Sequence, residues 1–294
     1  VLTLAFDPVI HIAGGLSVRI ETVLLAVVLL ASIALAARNR TGSPAAGPKA
    51  SVLAQGVGQL LAIIAGAGPG AIFGGRLGDV LDHLDFYRAN PGLIVDPGHG
   101  GFGLTLAVPL AIVTGGITGG LIGAPVARWM HSLAVPMLVA LAASKVAALA
   151  GAAGQGLPND LPWATAYVGP GPWDSLAAAV PSQPSAAYEA ILVAAAIVGL
   201  TLLRRREVVA RGDGVAMLVA LGLWATARFV VAFTWRDPAV LGPLRIDQLL
   251  SLLLIALAAL GGAERVQAHG GPARPGDGGS GPRPDRRPEP SPDG

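Results

Sequence analysis

Long apolar runs separated by short polar stretches dominate the chain. Runs such as Val23–Ala37 and Leu249–Leu260 do not alternate between apolar and polar residues, as the strands of a membrane barrel do. A helix needs about 20 apolar residues to cross the hydrocarbon core of a bilayer. The pattern therefore predicts an all-α, polytopic membrane protein with about seven transmembrane helices, over residues 17–37, 51–73, 102–126, 132–152, 186–203, 214–234 and 246–262.

Composition supports this class. The chain is 53% hydrophobic and 13% charged, whereas soluble domains carry about 25% charged residues. An ordinary soluble protein is thereby excluded, and so is disorder over most of the chain. The absence of cysteine excludes disulfides, thiolate metal sites and cysteine nucleophiles. The net charge of +2 does not indicate nucleic-acid binding, and the histidines lack metal-ligand spacing, so we expect no nucleic acid, no metal and no cofactor.

The basic residues of the loops indicate an orientation. Arg38 and Arg40 follow the first predicted span and Arg204–Arg206 follow the fifth, while the connection 153–185 carries no Lys or Arg. Because cytoplasmic loops are enriched in these residues, the N-terminus is predicted outside and the C-terminus in the cytoplasm.

Two loops on the outer side are long enough to form a small external cap, residues 76–101 and 153–185. Aromatic residues in the second loop also fit a plain interfacial belt. Residues 268–294 are rich in Gly, Pro and Arg and predict a disordered cytoplasmic tail. The transmembrane domain then covers residues 1–267.

Four ionisable residues within the predicted spans stand out, all in the outer half: Glu21, Lys145, Glu189 and Arg228. Charges in a bilayer are costly and indicate function by default. The alternative is that they pair with one another, for example Arg228 with Glu189, merely to satisfy burial.

Further arginines lie at the same predicted level, Arg76 and Arg236. Such cations can hold an anionic lipid head group, since arginine binds phosphate through a bidentate fork. A shared site requires Arg228, Arg76, Lys145 and Glu21 to line one cavity that opens towards the outer leaflet.

Two further sequence features are informative. His99, in the outside-loop segment Pro97–Gly101, is either a proton carrier or a solvated turn residue. The glycine-rich segment Gly115–Gly120 lies within the third predicted span, where small residues favour close helix approach.

Six short blocks fall in order on the predicted spans and loops: Ser17–Arg19; Gly74–Gly78 with Leu84–Pro91; Asp160–Ala164; Pro184 with Tyr188–Ala190; Arg228–Arg236; and Leu241–Gly242 with Gln248–Ser251. The second block is similar to G-x-R-L-G…L-x-Y-Y-L-x-N-P, the third to T-D-L-P-W-A and the fifth to R-F-x-x-E-F-x-R. Together they resemble the prolipoprotein diacylglyceryl transferase family, over most of the chain up to about residue 262.

The resemblance implies a bacterial enzyme of the inner (plasma) membrane, here expected as a monomer. Such an enzyme moves a diacylglyceryl group from phosphatidylglycerol to the lipobox cysteine of a prolipoprotein signal peptide. Glycerol phosphate leaves and a thioether forms, which requires a base for the thiol and cations for the phosphate. With the buried charges, the resemblance indicates catalytic Lys145, Arg228, Glu21, His99 and Thr105, and substrate-binding Arg76, Arg236, Gly78, Glu189 and Tyr188.

Several family positions carry other residues here. Thr105 aligns with the histidine of F-H-G-G-L, Lys145 with the arginine of G-R-x-G-N-F-x-N-G-E, and Ala232 with the glutamate of R-F-x-x-E-F-x-R. Three interpretations stay open. The chain is a divergent transferase with Glu21 or His99 as a substitute base, or a non-catalytic paralogue that binds phospholipid or a lipoprotein precursor. The third, a small-solute transporter, has less support because no internal repeat is visible.

Overall fold

The computed structural model describes residues 1–12, 17–41, 49–96, 102–169, 179–206, 209 and 214–270. Within these ranges the protein is mainly helical, and its helices are α1 (Ile20–Thr41), α2 (Lys49–Asp82), α3 (Leu84–Ala89), α4 (Leu104–Leu121), α5 (Val126–Ala150), α6 (Ser185–Arg205), α7 (Val215–Val231) and α8 (Ile246–Gly270). Six of them, α2 and α4–α8, are long and apolar enough to span a membrane, and the described apolar part of α1 is Ile20–Ala36. The prediction of a polytopic all-α membrane protein is confirmed.

Two predicted boundaries are wrong. The loop expected from residue 76 begins instead as the last turns of α2, because the apolar spacing of Leu77, Val80 and Leu81 continues the helix to Asp82. The third and fourth spans meet earlier than expected. Gly123 has a φ of +68°, which favours glycine, and the helix α5 begins directly after Pro125.

A stripe of glycines on α2 brings this helix against α4. A Cβ at Gly70 would collide with the backbone of Leu110, and one at Gly74 with the backbone of Leu106. At Gly78 a Cβ would lie 3.1 Å from the Cα of Gly103, just before α4 begins. Close backbone packing of this kind is typical of helices in lipid. It holds the first turn of α4 at the end of α2.

The glycine-rich segment of α4 makes the close approach expected of it. A Cβ at Gly115 would lie 3.1 Å from the carbonyl oxygen of Ile63, and Thr118 occupies the space beside Gly66. Both contacts are made with α2.

The main buried cluster lies among α5, α6, α7 and α8, around the fully buried Leu138, Val193, Leu200 and Trp224. Large apolar side chains such as Leu30 point outward and are exposed. Exposed apolar side chains over long helices fit a surface that faces lipid.

Four short strands lie outside the long helices: β1 (Leu2–Ala5), β2 (Val9–His11), β3 (Ser17–Arg19) and β4 (Thr165–Val168). β1 pairs in parallel with β4, and β2 pairs antiparallel with β3. The first predicted span therefore starts at Ile20, after β3. The first strand is bound to the loop between α5 and α6, so that these segments cover one end of the bundle.

Some predictions fall outside the described residues. These are the segment 97–101, which includes His99, and residues 271–294 of the expected tail. The helix α8 continues to Gly270. The membrane orientation also stays a prediction.

Candidate active site

Arg228 lies in the last turns of α7 with 8% of its surface exposed. Its Nε donates to the hydroxyl oxygen of Thr105 at 2.6 Å, and its Nη2 donates to Asp247 Oδ2 at 2.5 Å. Its Nη1 lies 3.2 and 3.3 Å from the two carboxylate oxygens of Glu189. All three nitrogens of the guanidinium therefore have partners.

Lys145 brings a second cation to the same place. Its Nζ lies 3.0 Å from Glu189 Oε2 and 5.4 Å from the centre of the Trp235 ring. Glu189 is fully buried and forms ion pairs with both Lys145 and Arg228. The indole face adds a cation–π contact to the lysine.

We call these five residues, Thr105, Lys145, Glu189, Arg228 and Asp247, the ion network. All five are buried. Its two cations and two carboxylates give no net formal charge. Such pairing is expected, because an uncompensated charge buried in a membrane is costly.

The network forms where five helices place one end at the same level. Thr105, Glu189 and Asp247 lie near the starts of α4, α6 and α8. Lys145 and Arg228 lie near the ends of α5 and α7. Since successive spans run in opposite directions, these starts and ends meet on one side of the bundle. The carboxylate of Asp247 at a helix start and Arg228 at a helix end also suit the helix dipoles.

Arg76 makes its described contacts away from the ion network. Its Nε donates to the carbonyl of Ile94 at 2.6 Å, and its Nη2 donates to the carbonyls of Leu93 and Asp96. The groove of about 590 Å³ beside it is lined by residues of α2, by residues 94–96 and by Phe102. Arg76 thus fastens the segment after α3 to α2.

Arg236 fastens the loop between α5 and α6. Its Nε donates to the carbonyl of Gly156 at 2.6 Å, and its Nη2 to the hydroxyl of Ser182 at 2.8 Å. Tyr188 contributes to the same loop, since its hydroxyl accepts a hydrogen bond from the indole of Trp163 at 2.7 Å.

Glu21 lies at the start of α1, with Oε2 3.4 Å from Arg19 Nη2. Its side chain packs on Gly151, where a Cβ would lie 2.8 Å from the Cβ of Glu21. The four groups expected to line one cavity thus have different described partners. Lys145 and Arg228 share Glu189, whereas the described contacts of Arg76 and Glu21 are made elsewhere.

Two members of the site were missed by the sequence predictions. Asp247 lies inside the last predicted span, and an acidic residue there was the available signal. Trp235 could be found by counting from Arg228, because the eighth position of R-F-x-x-E-F-x-R falls on Trp235 and Arg236 follows one residue later.

An acidic residue also lies beside the network, outside the spans. The pKa of Asp237 is raised, first because the carboxyl is partly buried and then because the charge of Asp247 is near.

Among the described residues, no group of three His, Asp or Glu side chains is placed to hold a metal ion.

An apolar groove of about 190 Å³ lies among α1, α2, α4 and α5. Residues of its lining include Ile33, Ile63, Ile112 and Met137. The groove reaches Ala140, five residues before Lys145 on α5. A hydrocarbon-lined space therefore lies on the bilayer side of the ion network.

Comparison with known proteins identifies the family of the chain. The model of the prolipoprotein diacylglyceryl transferase family matches residues 8–262. A phosphatidylglycerol–prolipoprotein diacylglyceryl transferase of Ruegeria pomeroyi is 33% identical over 189 residues, which cover 58% of this chain and 58% of that relative. Because the family model covers most of the chain, the protein belongs to the prolipoprotein diacylglyceryl transferase family, whose members are multi-pass transferases of the bacterial inner membrane.

Proposed function

We propose that the chain transfers a diacylglyceryl group from phosphatidylglycerol to the cysteine of a prolipoprotein. The observation that carries the proposal is the buried pair Arg228 and Lys145, which share Glu189 at one end of a family-matched bundle. In the reaction the cysteine sulfur bonds to the glycerol carbon, the bond from that carbon to the phosphate oxygen breaks, and glycerol phosphate leaves. The thiol proton passes to a base.

The two cations are the groups that stabilise the departing phosphate. Arg228 reaches Glu189 through Nη1 at 3.2 and 3.3 Å, which are longer than its bonds to Thr105 and Asp247. The phosphate is therefore expected to approach on the Nη1 side, between Arg228 and Lys145, in exchange for part of the Glu189 contact. Charge-assisted bonds at this position strengthen as negative charge develops on the leaving group.

The apolar groove fits the other part of the donor lipid. Its lining has almost no polar surface, and it lies among helices on the bilayer side of the network. An acyl chain seated there leaves the glycerol and phosphate near Lys145.

The two candidates for the base are Glu21 and His99. Thr105 is not suited to this role, because its hydroxyl donates to Asp247 and accepts from Arg228. Its role in the proposal is to orient the arginine. Glu21→Gln and His99→Gln are made separately. The base is the residue whose substitution removes the limb of the pH–rate profile that reports titration of the base.

The test is a transfer assay with the purified chain in vesicles that contain phosphatidylglycerol. A lipobox peptide is added, and mass spectrometry follows the gain of a diacylglyceryl group, with an established transferase as the positive control. The wild-type chain is expected to produce the diacylglyceryl-modified peptide, and Arg228→Gln is expected to produce much less of it. A wild-type chain that inserts into vesicles without producing the mass, while the control enzyme does, contradicts it.

A second function is favoured by the neutrality of the ion network. Both cations already have carboxylate partners, and Thr105 replaces the family histidine. These features suit a non-catalytic paralogue that binds phospholipid or a lipoprotein precursor. Binding of phosphatidylglycerol that depends on Arg228, without any mass gain on the peptide, distinguishes this function from transfer.

A further inference from the structure

Asp247 lies in the first turn of α8 with 5% of its surface exposed. One carboxylate oxygen accepts from Arg228 Nη2 at 2.5 Å, and the other accepts from the hydroxyl of Thr105 at 2.5 Å. A single side chain thus connects α8 with α7 and α4. The residue was not among the expected site residues.

The three side chains form a closed ring of hydrogen bonds. Arg228 Nε donates to Thr105, Thr105 donates to Asp247, and Arg228 Nη2 donates to the other oxygen of Asp247. The ring engages one edge of the planar guanidinium. It thereby leaves Nη1 as the nitrogen that points to Glu189 and, through it, to Lys145.

The backbone around Asp247 is itself held in place. The side-chain oxygen of Gln248 accepts from the backbone N–H of Arg245 at 2.9 Å, as in a capping box, and its nitrogen donates to the carbonyl of Phe229 at 3.3 Å. Gln248 is fully buried. The start of α8 is therefore bound directly to α7 next to Arg228, and the carboxylate is positioned before any ligand arrives.

We infer that Asp247 is a positioning residue that sets the orientation of the Arg228 guanidinium, with Thr105 as the intermediate. It does not touch the reacting atoms; it keeps Nη1 on the side where phosphate is bound. This inference deepens the proposed function and rests on it for its catalytic consequence. The orientation itself is measurable without turnover.

The decisive measurement is the rate at which phenylglyoxal modifies Arg228 in the purified chain, followed by peptide mass spectrometry. In Asp247→Asn this rate is expected to rise several-fold, because the ring loses its charged member while the side-chain size is kept. In Asp247→Glu, which retains both oxygens, the rate stays closer to that of the wild type. Modification of Arg236 in the same samples reports whether the surrounding structure has loosened.

Asp85→Asn is the matched control, since Asp85 is also an acidic residue in the first turn of a helix but is exposed and pairs with Arg88. It is expected to change neither rate. An unchanged Arg228 rate in Asp247→Asn overturns the inference. A parallel rise at Arg236 also overturns it, because the effect is then general loosening.

The transfer assay provides the second arm. Asp247→Asn is expected to lower kcat by about 10- to 100-fold, the range for loss of a charged hydrogen bond, with KM for the peptide changed by less than about twofold. Equal loss in kcat and in folded protein contradicts a positioning role. If the wild-type chain itself adds no diacylglyceryl group, the proposed function fails, and the modification rates still decide the role of Asp247.

Discussion

At the scale of single residues, the charged groups of the site share their ion-pair partners. Glu189 serves two cations, and Arg228 serves two carboxylates. Removing any one of the four charged residues therefore leaves an uncompensated charge in a low-dielectric region, which costs more than the pair contributes. The burial of Arg228 and Glu189 as partners was one of the two alternatives that the sequence left open. This pairing does not exclude function, because Glu189 orients both cations, Arg228 and Lys145.

Replacing Arg228 is expected to destabilise the protein as well as to remove transfer. Arg228→Gln leaves Asp247 with Thr105 alone, and breaking a buried pair costs about 3–5 kcal/mol. Arg228→Lys keeps the charge but loses the planar fork. Its stability and transfer activity are therefore expected to lie between those of the wild type and those of Arg228→Gln. Thermal unfolding in lipid nanodiscs measures the effect. Arg88→Gln removes an exposed arginine as the control, and an equal loss in both variants contradicts the network.

Asp237 predicts a pH dependence of stability. Its pKa is raised above the ordinary value of 3.8 by partial burial and by Asp247, against the lowering effects of His83 and Arg228. The folded state thus holds this proton more tightly than the unfolded state, and stability falls as pH rises from 3.8 through the folded pKa.

Asp237→Asn is therefore expected to unfold at a higher temperature than the wild type at neutral pH. The difference should vanish below the ordinary pKa of the carboxyl, where both side chains are uncharged. Thermal unfolding across this pH range measures it. A variant that is less stable than the wild type at neutral pH contradicts the raised pKa.

At the scale of elements, glycine spacing on α2 decides where α4 sits. The sequence drew attention to Gly115–Gly120, and the structure adds the stripe Gly66, Gly70, Gly74 and Gly78 on the partner helix. The stripe could have been found from its spacing of four. Its partner could not, because any helix with small residues is a possible neighbour.

Gly70→Leu is expected to push α4 away from α2 and to displace Thr105. Overpacking of a close contact costs about 1–3 kcal/mol, so both the unfolding temperature and Arg228-dependent transfer should decrease. Gly58→Leu on the same helix is the control, since no atom lies within 4 Å of a Cβ at that position. Similar effects of the two substitutions would mean that the glycine stripe does not position α4.

At the scale of the whole molecule, the apolar surface and the level of the ion network are consistent with a bundle that binds a lipid from within the bilayer. Which side of the membrane the network faces is a matter of orientation. The distribution of arginine predicts that the network and the α5–α6 loop lie outside.

Orientation can be tested directly because the chain has no cysteine. Single substitutions Asp160→Cys and Arg206→Cys introduce exposed thiols on opposite ends of α6. A membrane-impermeant maleimide is expected to label the first in intact cells and the second only after permeabilisation. Labelling in the reverse order would invert the topology.

The sequence by itself determined the class of protein, the approximate spans and the family, because apolar length and ordered motif blocks are local properties of the chain. It also identified Lys145, Glu189 and Arg228 as unusual, since charge within an apolar run is visible without coordinates. Only the tertiary structure decided which side chains form ion pairs and hydrogen bonds with each other. It joined Thr105 to Arg228 and to Asp247 across more than 100 residues of chain, and it showed that Arg76 and Arg236 make hydrogen bonds to loop residues. Partner choice depends on helix packing in three dimensions, which spacing along one chain does not specify.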